Sequence, residues 1–231
     1  MKSIATVLFI VLFCAIACAQ QKPAPRLIVR GDDMGFSHSG NVALIKSSLE
    51  GIQTSIEIIV PSPWFPEAVK FLQENTGVDV GINLDITSEW DNIKWRPLSD
   101  CASLKDSNGY FFPMVFPNKN YPGQSIKENN WKIEDIEKEF RAQIEMGLKH
   151  IPRISHISSH MGCTNITDKV KALTKKLAKE YKIDIDLEDY HVERAGYEGL
   201  TKLSKKRYKA FSICLKSLRR AKHIFLLNTR E

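Results

Sequence analysis

Leu27-Ile28-Val29-Arg30-Gly31-Asp32-Asp33-Met34-Gly35 carries the chain from a hydrophobic run into a polar turn. Leu27–Val29 reads as a buried strand that stops where Arg30 begins the turn. Two consecutive carboxylates at the end of such a strand are costly unless something stabilises them. A bound cation held by one carboxylate, with the other acting as a general base, accounts for both. The alternative is that one of them caps a helix starting near Ser39.

Outward from this stretch, short apolar runs alternate with amphipathic ones. Ser39 to Leu49 has Val42, Ile45 and Leu49 on one helical face, and Ser55–Val60 is a strand closed by Pro61 and Pro63. Phe65 to Glu74 reads as a helix and Val78 to Asn83 as a third strand. Ser125 to His150 is a long helix, Arg153–Ser159 a fourth strand, Asp168–Tyr181 a helix, and Ile183–Glu188 an alternating fifth strand. Strands spaced by helices of this length predict an α/β fold on a parallel sheet, open or closed into a barrel. Ser88 to Lys119, rich in aromatic and turn residues, interrupts the rhythm after the third strand. Insertions there lie at the C-terminal mouth of a barrel, where sites are built.

Both ends of the 231-residue chain differ from its middle. Lys2, the apolar run Ile4 to Ile16 and Ala17-Cys18-Ala19 predict a signal peptide over residues 1–19 and an exported, periplasmic or secreted, protein. A lipoprotein cysteine at Cys18 is the second choice. No other stretch is apolar enough to span a membrane. Of the remaining cysteines, Cys101 and Cys163 fit either a disulfide or free thiols, with Cys214 left over. No CxxC pair supports a structural zinc knuckle. The net charge of +6 is concentrated in a basic tail from Leu200 onward. Nothing before it supports a nucleic-acid role, and such tails are most often solvated faces.

Ser155-His156-Ile157-Ser158-Ser159-His160-Met161-Gly162 offers two histidines four residues apart. On a helix they would share a face. On the strand that the β-branched residues favour, they stand roughly 13 Å apart and cannot reach one ion. His160, at the C-terminal end, is the better ligand. His156 sits deeper, as a substrate contact or a satisfied core histidine.

Together these features resemble the YdjC-like carbohydrate deacetylases, which include chitooligosaccharide deacetylases. The resemblance is carried by Asp32-Asp33-Met34-Gly35, Thr54-Ser55, the run from Val80 to Trp90, and Ser155-His156 with Ser159-His160. It runs from about Arg26 to Gly199, and so implies a domain over 20–199 followed by a divergent tail over 200–231. It implies a (β/α) barrel-like fold and removal of acetyl from N-acetylated oligosaccharides. It further implies a divalent cation, zinc or magnesium, held by one aspartate and two histidines. By position Asp33 and His160 would be ligands and Asp32 the base. Trp90 and Trp95 would stack on sugar rings or pin the insertion to the barrel.

Two departures are expected to matter. Asn83 stands where the resemblance implies a histidine ligand, and a neutral amide is the weaker donor. After Gly199 the pattern ends. A shift of one base can turn codons for Asn228-Thr229-Arg230-Glu231 into a His-Pro-Gly string, so an out-of-frame tail and an incomplete barrel are expected. The reading is therefore a metal-dependent carbohydrate deacetylase of impaired activity. Its rivals are a non-catalytic carbohydrate-binding protein and a glycosidase pairing Asp32 with Asp186 or Glu188.

Overall fold

The computed structural model describes residues 26–194 and the backbone of 224–229. The chain divides into two compact units, one of residues 28–190 with 226–231, the other of 1–27 with 191–225. In the second unit the described part is short and includes the strand β5 (Glu193–Arg194). The expected signal peptide, Cys18, Cys214 and nearly all of the basic tail lie outside the described residues.

The larger unit is an α/β fold. Its strands are β1 (Arg26–Met34), β2 (Ser55–Ile58), β3 (Asp79–Leu84), β4 (His156–Ser159) and β6 (Ile224–Thr229), ordered β4-β3-β2-β1-β6. The pairs β1–β2, β2–β3 and β3–β4 are parallel. Connecting helices are α1 (His38–Glu50), α2 (Phe65–Glu74), α3 (Ile133–His150) and α4 (Asp168–Glu180). Among the described residues, no helix is long and apolar enough to cross a membrane.

The period of two along a strand sorts the sheet into two faces. Ile56, Ile58, Val80, Ile82 and Leu84 point one way and are fully buried. They share one core with Ala68 and Leu72 of α2, Ile136, Phe140 and Ile144 of α3, and Val170 and Leu177 of α4. The other face is polar: Ser55 and Glu57 on β2, Gly81 and Asn83 on β3, His156 and Ser158 on β4. Register places Glu57 beside Gly81, and Gly81 beside His156. The core therefore holds the sheet by one face and leaves the other for polar groups.

Three expectations need correction. Strand β1 does not stop at Val29; it continues to Met34 through an irregular register between Gly31 and Met34. Asp33 takes a left-handed φ of 68° there, which aspartate tolerates better than most residues. Neither aspartate caps α1, because Ser37 Oγ accepts from Gly40 N. The predicted strand Ile183–Glu188 is absent. Asp186 Oδ1 accepts from Glu188 N in a local turn, a 3-10 segment follows at Leu187–Tyr190, and Ile185 is exposed. Local side-chain bonding of this kind competes with ladder formation. Of the two readings open for Cys101 and Cys163, the structure has them as free thiols, both buried. Burial and the Glu139 carboxylate push Cys101 up to about 12, while Cys163 Sγ donates to Leu84 O at 2.9 Å.

The aromatic segment 88–119 is anchored from below. Glu139 of α3 accepts from Leu98 N, Ser99 N and Ser99 Oγ. Gln143, one helical turn on, accepts from Asp85 N and donates to Asp85 O. These bonds fix the segment where it follows β3.

Candidate functional site

A cavity of about 510 Å³ opens where β1, β3 and β4 end, and is lined by Asp32, Asp33, Asn83, His160, Glu89 and Trp90, among others. The bulge in β1 turns Asp33 toward the neighbouring strands. Asp33 Oδ1 accepts from Asn83 Nδ2 at 2.8 Å and stands 3.0 Å from His160 Nδ1. Ser158 Oγ donates to Asn83 Oδ1 at 3.1 Å. His160 begins a 3-10 segment (His160–Asn165) in which Met161 and Gly162 both take positive φ, 49° and 75°. That sharp turn carries the ring over the cavity, with 6% of the residue exposed.

His160 is enclosed by acids. Its Nε2 lies 3.0 Å from Glu89 Oε1. Burial opposes its charged form, but the Asp85 carboxylate and the bonds to Asp33 and Glu89 outweigh it, holding the ring protonated well above the ordinary 6.5. Burial likewise pushes Asp85 up to about 6. Asp85 accepts from Thr87 N, Thr87 Oγ1 and Trp95 Nε1.

The structure brings together Asp32, Asp33, Asn83, His160 and Trp90. Neither Trp95 nor His156 lines the cavity, although the Trp95 ring packs against Trp90 with centroids 5.5 Å apart. Trp95 is 3% exposed and tied to Asp85, so it pins the segment rather than facing the cavity. His156 contacts Glu57 at 2.9 Å and Ser155 Oγ at 2.8 Å, deeper on the polar face. Asp186 and Glu188 pair with Lys175 of α4, so neither joins Asp32 as the glycosidase reading requires.

The donor set can be tested against a divalent cation. Imidazole ligates through a nitrogen lone pair, and an amide through its oxygen. Here both ring nitrogens of His160 stand at hydrogen-bond distance from carboxylate oxygens, and Asn83 turns its amide nitrogen toward Asp33. Among the described residues, no three His, Cys, Asp or Glu side chains are grouped to hold an ion. The residues as placed do not fit the cation that the resemblance implies.

Beneath the cavity lies a second buried charge cluster. Glu57 is held below its ordinary 4.5: burial would raise it, but the charge and hydrogen bond of His156, then Arg30, outweigh burial. His156 is held above 6.5: burial would lower it, but Glu57 and then Asp79 outweigh that. Glu57 thus contributes stability that is lost as pH falls through its lowered value. The His156 contribution is complete below 6.5 and is lost as pH rises through its raised value. Both are complete between pH 4.5 and 6.5. The gap in melting temperature between the wild type and His156→Gln should therefore be widest in that window and narrow at higher pH. A gap unchanged up to about pH 9 would show that the ring carries no charge.

Reading the sequence missed Arg30, Glu57, Gly81, Asp85 and Glu89. The signal for two of them was the alternation in Ser55-Ile56-Glu57-Ile58 and Val80-Gly81-Ile82-Asn83, which sorts Glu57 and Gly81 onto the face of Asn83.

A family model described as YdjC-like protein matches residues 26–227. Carbohydrate deacetylase 1 of Listeria innocua is 30% identical over 69% of this chain and 60% of its own length. The carbohydrate deacetylase of Thermus thermophilus is 31% identical over 68% of this chain and 51% of its own. The chain thus spans somewhat more than half the length of these curated relatives. A crystal structure from Enterococcus faecalis, described as a cellobiose-phosphate cleavage protein, superposes with a TM-score of 0.64 at 20% identity. It covers 90% of this chain and 81% of that one, and bears on the fold.

Proposed function

Since this chain belongs to the YdjC-like family, we propose that it is a carbohydrate deacetylase in kind, a hydrolase taking N-acetylated oligosaccharides. The observation that carries the reading is the convergence of Asp32, Asp33 and His160, from two distant segments, on one cavity that Trp90 also lines. Hydrolysis of an acetamide needs a base for the attacking water and a group to meet the charge that develops on the carbonyl oxygen. In this reading Asp32, whose Oδ1 lies 3.1 Å from Arg30 Nε, serves as the base. His160, which lines the same cavity and stands 3.0 Å from Asp33, is the positive group in this reading. Zinc or magnesium is implied by the resemblance, but the donors as placed do not fit it, so the proposal includes low turnover. Export and a substrate of several sugars remain part of this reading.

Release of acetate from N-acetylglucosamine oligomers by the whole chain tests it, with calorimetry on the same sugars alongside. Sugar binding without any acetate would favour the non-catalytic rival. No binding and no acetate would end the carbohydrate reading.

The two tryptophans should separate. Trp90 stacks on Phe36 with centroids 5.0 Å apart and lines the cavity. Trp90→Ala should weaken sugar binding about tenfold, the worth of one good ring contact. Trp95→Phe removes the donor to the buried Asp85 carboxylate and should cost about 2 kcal/mol of stability. It should leave sugar affinity unchanged in the same calorimetric titration.

A further inference from the structure

We infer that Glu57 and His156 are positioning residues for the candidate base Asp32, acting through Arg30. This inference rests on the proposed role of Asp32. A line of alternating charge crosses the polar face of the sheet. It starts at the half-exposed Asp79, whose Oδ2 lies 3.7 Å from His156 Nδ1. His156 Nε2 lies 2.9 Å from Glu57 Oε1. The same oxygen lies 3.8 Å from Arg30 Nε, and Arg30 Nε lies 3.1 Å from Asp32 Oδ1. The Glu57 side chain is fully buried, and those of Arg30, Asp32 and His156 are no more than 15% exposed.

Each link has a reason to be there. Arg30 Nε stands within reach of two carboxylates, 3.1 Å from Asp32 Oδ1 and 3.8 Å from Glu57 Oε1. The fully buried Glu57 carboxylate adds a second negative charge at that nitrogen and so helps fix where the guanidinium, and with it Asp32, can sit. An isolated buried glutamate would protonate rather than do this. The charge on His156 keeps it ionised, and Ser55 Oγ donates to the same oxygen at 3.1 Å. Gly81 lies in register between Glu57 and His156, and its missing side chain is what lets the two meet. The line joins the solvent-facing start of β3 to the cavity, and none of Asp79, His156 or Glu57 lines that cavity.

The test uses the whole chain with isotope labelling and does not depend on turnover. The arginine Nε–H cross-peak of Arg30, assigned by its loss in Arg30→Lys, should be protected from exchange in the wild type. Glu57→Gln, which keeps shape and removes charge, should abolish that protection and move the Asp32 carboxyl carbon signal. His156→Gln should do the same more weakly, and it covers the case in which Glu57→Gln does not fold. Trp95→Phe serves as a variant destabilised elsewhere and should leave both signals in place. If Arg30 and Asp32 keep their wild-type signals in both cluster variants, or if Trp95→Phe moves them equally, the positioning role is overturned. Acetate release, read separately, decides the hydrolase reading without deciding this one.

Discussion

Gly81→Ala is expected to destabilise the domain by about 3 kcal/mol or more, the scale on which breaking a buried ion pair falls. The added methyl group would enter the space that the Glu57 carboxylate and the His156 ring now share. Neither can retreat cheaply. Glu57 is fully buried with the apolar core on the far side of its strand, and His156 is bound to Ser155. If the pair separates, each charge is left buried without its main partner, and Arg30 loses one of its two neighbouring carboxylates. Urea unfolding should show the midpoint falling with an unchanged slope. Gly77→Ala is the matched control, because nothing lies within 4 Å of the added carbon there; it should stay within about 0.5 kcal/mol of the wild type. Equal midpoints for the two variants would mean that Glu57 and His156 part without cost.

Asn83→His should turn the cluster from a hydrogen-bonded one into a metal site. Asn83 lies on the polar face of β3, its amide nitrogen 2.8 Å from Asp33 Oδ1 and its oxygen accepting from Ser158. A ring in its place would present a nitrogen lone pair toward the same carboxylate, completing an Asp and two His donors. His160 would then exchange one of its carboxylate partners for the ion. Zinc affinity should rise by on the order of 100-fold or more, since even outer-shell changes at such sites are worth 10–100-fold. Metal analysis after dialysis should find about one ion per chain in the variant and far less in the wild type. Acetate release should rise with it. A variant that holds no more zinc than the wild type would show that Asn83 is not what limits the site.

Much of the larger unit could be read from apolar periodicity. The stripes of α2, α3 and α4 and the runs Ile56–Ile58 and Val80–Leu84 were recoverable because burial of those side chains holds the elements in place. Ile183–Glu188 shows the limit: its alternation fitted a strand, but a turn made by Asp186 and a bridge to Lys175 are satisfied locally. The reading of β1 failed for a related reason. Asp32 and Asp33 looked like a turn, and they do lie in the irregular stretch, but pairing with β2 resumes at Met34–Ile58, so the strand runs on through them.

The sequence by itself determined the parallel α/β plan, and its residue types singled out the pair Asp32 and Asp33 and favoured His160 over His156, while Asn83 stood out only through the family resemblance. All but the last rest on residue type and spacing along the chain. Tertiary structure alone decided which of them meet. His160 reaches Asp33 across 127 positions of chain, Glu57 reaches His156 across 99, and Trp95 packs against Trp90 with its Nε1–H given to Asp85. Those outcomes depend on strand register and on the absence of a side chain at Gly81. Register is fixed by the packing of the opposite, apolar face, which no single segment contains.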